Sequence, residues 1–240
     1  MRDIFMHYTA MDNCRLFFDT YAIDFSELES PRVLEIGSQD VNGSIRACAP
    51  ESFEYVGVDF VAGKGVDVIL DDPYHLPFED GSFDIVLSNS CFEHSEMFWL
   101  LFDEIMRVLK PSGLFYLNVP SNGYFHRYPV DCWRFYPDSG SALVTWNRRG
   151  GGNAALLESY TSKQSKGVWN DFVAIFVKDE VFAPRYEGRV TDRLVDFTNG
   201  LSRGRDGIVN EQTILEDQSA ISLVRRFIRD HLKRRLKVRA

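Results

Sequence analysis

The first half of the chain alternates short apolar runs with longer mixed stretches. RVLEI (32–36), EYVGV (54–58), VDVIL (66–70), FDIVLS (83–88) and GLFYLNV (113–119) are compact, rich in β-branched and aromatic residues, and bounded by turn residues, so each predicts a strand. Between the last two lies SEMFWLLFDEIMRVLK (95–110), where Phe98, Leu101, Ile105 and Leu109 recur at helical spacing, Ser95 is placed to cap, and Pro111 with Gly113 ends the pattern. A further helix is predicted near 10–20, and VLEIGSQDVNGSIR (33–46) runs from a strand through a turn into the start of another. Two more strand-like runs, 154–161 and 169–178, follow a Gly-rich turn at 149–152 and predict an antiparallel pair. Strands alternating with helices predict an α/β fold: a doubly wound sheet, mostly parallel, with helices on both faces.

Composition narrows the class. With 240 residues, 45% apolar and 14% aromatic, the chain can bury a large core. No run approaches the roughly 20 apolar residues of a membrane span, and the N-terminus has no signal-peptide core, so a cytoplasmic location is expected. Cys14, Cys48, Cys91 and Cys132 lie far apart with no C-x-x-C, which suits reduced thiols and argues against a disulfide scaffold or a structural zinc. No carboxylate cluster has ligand spacing, so no metal is expected.

The net charge of −8 argues against general nucleic-acid affinity, but it is unevenly spread. Residues 221–240 hold eight Lys/Arg and one acid, a net of +7 that leaves −15 on residues 1–220. In this tail Ile221, Val224, Phe227, Ile228, Leu232 and Leu236 draw an apolar stripe along a basic helix. Three partners fit it: the acidic body of the same chain, an anionic membrane surface as a peripheral contact, or RNA. The organisation expected is an N-terminal helical cap (1–30), a main domain (31–180), a connecting segment (181–218) and a basic amphipathic helix (219–240).

Ligands of such sheets sit beyond the carboxyl ends of the strands, here around Gly37, Asp59, Asp72 and Ser88-Asn89. A dinucleotide site needs further glycines so that backbone can approach a pyrophosphate. Here Gln39 and Val41 follow Gly37, and Glu35 would repel that dianion; an acid suits a ligand with a cationic end. Asp59, closing YVGVDF, offers two oxygens to a ribose diol, although an acid ending a strand is also commonly a cap or a solvated edge. Asp71-Asp72 adds an acceptor for an adenine amino group. Together the acids describe an adenosine bearing a cationic amino acid.

The order VLEIGS, YVGVDF, DDPYHLPFEDGSFDIVLSN, FDEIMRVLKPSGLFYLNVP resembles the class I S-adenosylmethionine-dependent methyltransferases over roughly residues 30–180. The resemblance implies a seven-stranded sheet of order 3-2-1-4-5-7-6 with the last strand antiparallel, and S-adenosyl-L-methionine as cofactor. It also implies that Glu35, Gly37 and Ser38 face the methionine portion, Asp59 with Phe60 the ribose side, Asp72 the adenine amino group, and Ser88-Asn89 the floor beneath the sulfonium. Two departures stand out: Gln39 occupies a later glycine slot and must lie against the methionine moiety, and Pro73 has no N–H to give the adenine ring, so Tyr74 or a water is expected to donate.

Beyond the fifth strand, VPSNGYFHRYPVDCWRFYPDSG (119–140) mixes aromatics with hydrogen-bonding groups, a surface suited to the apolar face and hydroxyl ring of a sugar. His126 is the expected general base, with Asp131 orienting it or acting in its place, and Tyr128, Trp133 and Arg134 as acceptor contacts; His94 is the rival base. The bland alternative is a loop in which Arg134 pairs with Asp131 structurally. His7 and Tyr8 are candidates for an N-terminal lid. HRYPVDCWRFYPDSG also resembles a segment of methyltransferases associated with bacterial surface-polysaccharide and glycan synthesis, which implies O-methylation of a sugar hydroxyl. Two alternatives stay open: a small-molecule amine or RNA as acceptor, and a non-catalytic binding module.

Overall fold

The structure, a computed structural model, describes residues 8–41, 43–165 and 168–213, together with Ile221, Val224, Arg225 and Ile228. Each strand run finds a partner because its apolar side chains are covered on both faces. The strands are β1 (Arg32–Ile36), β2 (Glu54–Asp59), β3 (Val68–Ile69), β4 (Phe83–Asn89), β5 (Leu109–Pro120), β6 (Ala155–Ser162), β7 (Asp171–Val177) and β8 (Phe197–Ser202). They form one mixed sheet of order β3-β2-β1-β4-β5-β7-β6-β8. β1 to β5 are parallel, and β7 runs against both β5 and β6.

Among the described residues, α1 (Tyr8–Tyr21), α2 (Phe98–Val108) and α3 (Ser139–Arg149) cover the sheet. On one face Leu34, Ile36, Val86, Phe115 and Leu117 pack with Phe102 and Ile105 of α2 and Leu143 of α3. On the other, Val33, Ile85, Leu87, Tyr116 and Ile175 pack with Cys14, Phe17, Phe18 and Tyr21 of α1. The period-2 alternation along β1 and β5 thus feeds two cores, and each large side chain so buried contributes about 1.5–3 kcal/mol.

The sequence-based picture needs four corrections. The sheet has eight strands, not seven: β8 pairs antiparallel with β6 inside the stretch expected to be only a connector. Its sequence, FTNGLS, hides it, since Asn199 takes a positive φ of 52° and Gly200 follows, breaking the apolar alternation. The helix expected to begin near residue 46 is one 3-10 turn, Ile45–Cys48, because Pro50 holds Ala49 extended; Ser44 caps it by accepting from the Arg46 N–H. VDVIL pairs only through Val68–Ile69. Ser95 does not cap α2: its N–H closes the 3-10 turn Phe92–His94, and α2 starts after Met97, whose N–H donates to the Tyr74 hydroxyl at 3.1 Å.

All four cysteines are free thiols. Among the described residues no helix is long and apolar enough to cross a membrane. Of the basic stretch 219–240 only Ile221, Val224, Arg225 and Ile228 are described, all with exposed side chains. The expectation of an amphipathic helix there otherwise lies outside the described residues, as does His7 of the lid candidate.

Candidate active site

The cleft lies where β1, β2, β4 and β5 end. Gly37 leaves β1 at φ +78°, and a Cβ there would stand 2.8 Å from that of Cys91, so only glycine lets the loop pass. The loop then folds down onto β2: the Gly37 and Ser38 N–H groups both donate to the Val58 carbonyl, Gln39 N–H to Asp59 Oδ2 at 3.2 Å, and Asp40 N–H to the Lys64 carbonyl. Gln39 lies against Gly63, where a Cβ would stand 2.6 Å from its amide nitrogen. The glycine missing from the loop is therefore balanced by a glycine on the opposite wall.

Glu35 is not at the mouth. It is 4% exposed and lies under the loop, with Oε2 accepting from the Tyr55 hydroxyl at 2.9 Å. Burial pushes its pKa up to about 7, against the lowering pull of that hydrogen bond and of Arg46. Asp59 ends β2 with each oxygen holding one backbone N–H, from Gln39 and Val61, so each keeps a lone pair for a diol. Phe60 beside it is half exposed, an apolar face next to the acid.

Asp72 departs from expectation, because its Oδ1 accepts from the Tyr74 N–H at 2.8 Å. That local turn uses the donor expected to replace the missing Pro73 N–H, and the Tyr74 hydroxyl is held by Met97. An adenine amino group can still reach the exposed Asp72 carboxylate, whereas a backbone donor from Tyr74 is already committed.

Polar capacity around the cleft is unspent. Ser38 Oγ, Asn89 Oδ1 and Ser121 Oγ are buried at the ends of β1, β4 and β5 with no hydrogen-bond partner among the described residues. Buried polar atoms are normally satisfied, so a ring of orphans at strand ends fits a polar ligand. With Asp59 below and Glu35 behind, the set fits a cationic adenosine cofactor.

The expected acceptor contacts lie on the loop 121–138. Arg134 organises it: its fork donates to both oxygens of Asp131 (2.5 and 2.9 Å) and to the carbonyls of Tyr124 and Trp133 (2.7 Å each). The His126 N–H also donates to Asp131 Oδ2 at 2.7 Å. Burial alone would raise the Asp131 pKa, but Arg134 and the His126 amide outweigh it and hold it down to about 2. Asp131 is thus a structural anchor and a poor base, which corrects the expectation that it could act in place of His126.

His126 is partly exposed, its Nδ1 3.1 Å from the Tyr124 carbonyl and 3.4 Å from Asp131 Oδ2. The two candidate bases come together, for the His94 and His126 rings meet edge to face with centroids 4.9 Å apart. Burial lowers the pKa of His94, although its Nδ1 contacts the Val130 carbonyl at 2.5 Å. Tyr128 reaches across the cleft, its hydroxyl 3.4 Å from Gln39 Oε1, and the Trp133 indole donates to the Ser95 carbonyl. Gly123, Phe125, Asp131, Cys132, Trp133 and Arg134 line a depression of about 290 Å³.

Three functional candidates were not evident in the sequence. Glu93, beside His94, is buried, and burial pushes its pKa up to about 8. Asp171, at the start of β7, accepts from Thr9 Oγ1 at 2.7 Å, and burial pushes it up to about 6. Trp169 stands edge to face with His126 at 5.0 Å, where a Cβ on Gly123 would run into its ring. The tripeptide Cys91-Phe92-Glu93 carried a signal, an acid between a strand end and a helix; Asp171 and Trp169 carried none.

A methyltransferase-domain family model matches residues 9–117. An uncharacterized methyltransferase of Mycolicibacterium gilvum is 36% identical over 83 residues, 35% of this chain and 29% of that protein. The phthiotriol/phenolphthiotriol dimycocerosates methyltransferase 1 of Mycobacterium ulcerans is 36% identical over 115 residues, 40% of this chain and 41% of that protein. The chain thus spans less than half the length of these two relatives. In fold it is similar to the Burkholderia thailandensis 1,6-didemethyltoxoflavin-N1-methyltransferase, solved with 1,6-didemethyltoxoflavin and S-adenosylhomocysteine, at a TM-score of 0.52 and 19% identity over 71% of this chain and 79% of that one. Residues 9–117 thus match a methyltransferase domain, and the chain shares its Rossmann-like mixed sheet with a methyltransferase solved with S-adenosylhomocysteine.

Proposed function

We propose that the protein transfers the methyl group of S-adenosylmethionine to a hydroxyl oxygen, with a sugar hydroxyl of a glycan or activated sugar as acceptor. The observation that carries this reading is the loop 121–138, where an imidazole pair stands among exposed Tyr124, Phe125, Tyr128, Trp133 and Tyr136. Aromatic faces bind the C–H side of a pyranose, while the Arg134-braced polar groups meet its hydroxyls. S-adenosylmethionine supplies, when bound, an electrophilic methyl on a positively charged sulfur. The chain must then position the acceptor and take its proton, because an alcohol is a weak nucleophile until deprotonated.

His126 suits the second task. With the proton on Nδ1 given to the Tyr124 carbonyl, Nε2 holds the lone pair that accepts a hydroxyl proton; His94, fixed the same way by Val130, stands behind it. The basic stretch 219–240 extends the proposal to a peripheral contact with an anionic membrane, where lipid-linked glycans are found.

A second reading, a hydroxyl on a lipid, is favoured by the relatives named for phthiotriol and phenolphthiotriol dimycocerosates and by Phe125, 77% exposed at the loop's tip. A methyl-transfer screen with labelled cofactor against glycans, nucleotide sugars, lipid alcohols and small amines separates these acceptors. Label in the sugars supports the first reading, and label confined to amines removes it. Calorimetry with S-adenosylmethionine tests the premise: no heat at millimolar cofactor would leave only a non-catalytic binding module.

A further inference from the structure

Three potential ligands for a metal ion meet beside the acceptor loop, although the chain separates them. Glu93 and His94 stand on the 3-10 turn after β4, and His126 comes from the loop after β5. One ligand-type atom of each lies within 4.8 Å of the others, and His94 Nε2 is 3.7 Å from Glu93 Oε1. Atoms bound to one first-row cation at about 2.0–2.2 Å stand roughly 3–3.5 Å apart, so shifts of about an ångström close the set.

Two independent features point to a cation there. Glu93 is 1% exposed, and its Oε2 has no hydrogen-bond partner among the described residues. A buried carboxylate oxygen without a donor is costly until it takes a proton or a positive charge meets it, and a cation held there would displace that proton. Arg134, whose charge acts on Glu93, is already paired with Asp131. Both imidazoles are also oriented from behind: His94 Nδ1 against the Val130 carbonyl and His126 Nδ1 against the Tyr124 carbonyl. Protons on both Nδ1 atoms leave both Nε2 lone pairs available, the arrangement by which metal-bound histidines are held.

We infer that Glu93, His94 and His126 form a binding site for a divalent first-row transition-metal ion, with its remaining positions open to water or to an oxygen of the acceptor. Two imidazoles and one carboxylate favour ions such as Zn²⁺, Fe²⁺ or Co²⁺ over Mg²⁺ or Ca²⁺, which prefer all-oxygen shells. Binding would tie the acceptor loop to the end of β4 through His126. The site itself stands on this geometry alone; its effect on turnover rests on the methyl-transfer reading. There the ion would lower the pKa of the hydroxyl it holds, whose proton would leave to solvent water because a metal-bound His126 has no lone pair to take it.

The test uses the full chain, stripped with EDTA and titrated with ZnCl₂ by calorimetry. One ion per chain is expected, with Glu93→Gln and His126→Ala each weakening affinity about ten- to hundredfold. His75→Ala, which alters an exposed histidine outside the cluster, should leave it unchanged. S-adenosylmethionine binding measured on the same samples shows that each variant retains the folded cleft. Absence of saturable zinc binding, or wild-type affinity in both variants, overturns the site. Zinc binding that persists where no methyl is transferred to any acceptor sinks the methyl-transfer reading and leaves the metal site standing.

Discussion

The two walls of the cleft are built differently. On the cofactor side, loop 37–41 is held by main-chain bonds to the Val58 and Lys64 carbonyls and by Asp59, and its close packing depends on Gly37 and Gly63. Opposite it, loop 121–138 is tied by side chains as much as by backbone, through the Arg134 fork on Asp131, Asn122 on Asn170, the Trp133 indole on the Ser95 carbonyl and the Cys132 and Trp133 N–H groups on the Glu93 carbonyl, and it displays its aromatics outward. A wall made of backbone suits a ligand that never changes. A surface loop whose outward side chains take little part in its bracing can vary at those positions without disturbing the sheet.

Variants on either wall should therefore fail in different ways. The largest expected effect is that of His126→Ala, which lowers kcat about a hundredfold or more while calorimetry shows cofactor affinity intact; an unchanged rate in the metal-free enzyme would pass the base's role to His94. Asp59→Ala should do the reverse, weakening cofactor affinity about tenfold to a hundredfold through loss of charge-assisted hydrogen bonds, with the circular dichroism spectrum retained. Arg134→Lys should cost about tenfold in kcat/KM for the acceptor, since a lysine cannot keep the bidentate grip on Asp131. If it instead weakened cofactor binding, the two walls would not be independent.

A further expected effect concerns pH. The folded-state pKa of Glu35 is raised by burial to about 7, so the folded protein binds more protons than the unfolded chain above its ordinary value of 4.5. Its contribution to stability is fully present below about 4.5 and is lost as pH rises through about 7, on the order of 3 kcal/mol in all. Glu35→Gln should flatten that part of a urea-denaturation profile measured from pH 5 to 8. Cofactor affinity should rise over the same window in the native protein, as the carboxylate ionises near a cationic ligand, and stay level in the variant.

How much was legible in the sequence follows the same division. β1 spans residues 32–36 as its apolar run predicts, and β2, β4 and both strands of the antiparallel pair lie within a residue or two of theirs, because strands covered on both faces announce themselves. Asp59 and Gly37 were visible for a related reason: a strand end puts one residue in a known place. What escaped depends on partners distant in the chain. Tyr74, not Ser95, serves the first turn of α2; Arg134 removes Asp131 from chemistry; Glu93 meets His126 only after β5 has been laid beside β4. β8 escaped because Asn199 and Gly200 interrupt its pattern while its backbone still pairs.

That eighth strand changes what the sheet's border can do. Its outer edge is consumed by the chain's own return, with the Asn199 N–H donating to the Asn210 carbonyl and Gly200 exchanging both main-chain bonds with Val209. At the opposite border, β3 offers two residues. Among the described residues neither rim presents a long row of free amides and carbonyls, which disfavours ladder growth from molecule to molecule, the ordinary route from an open sheet to fibrils.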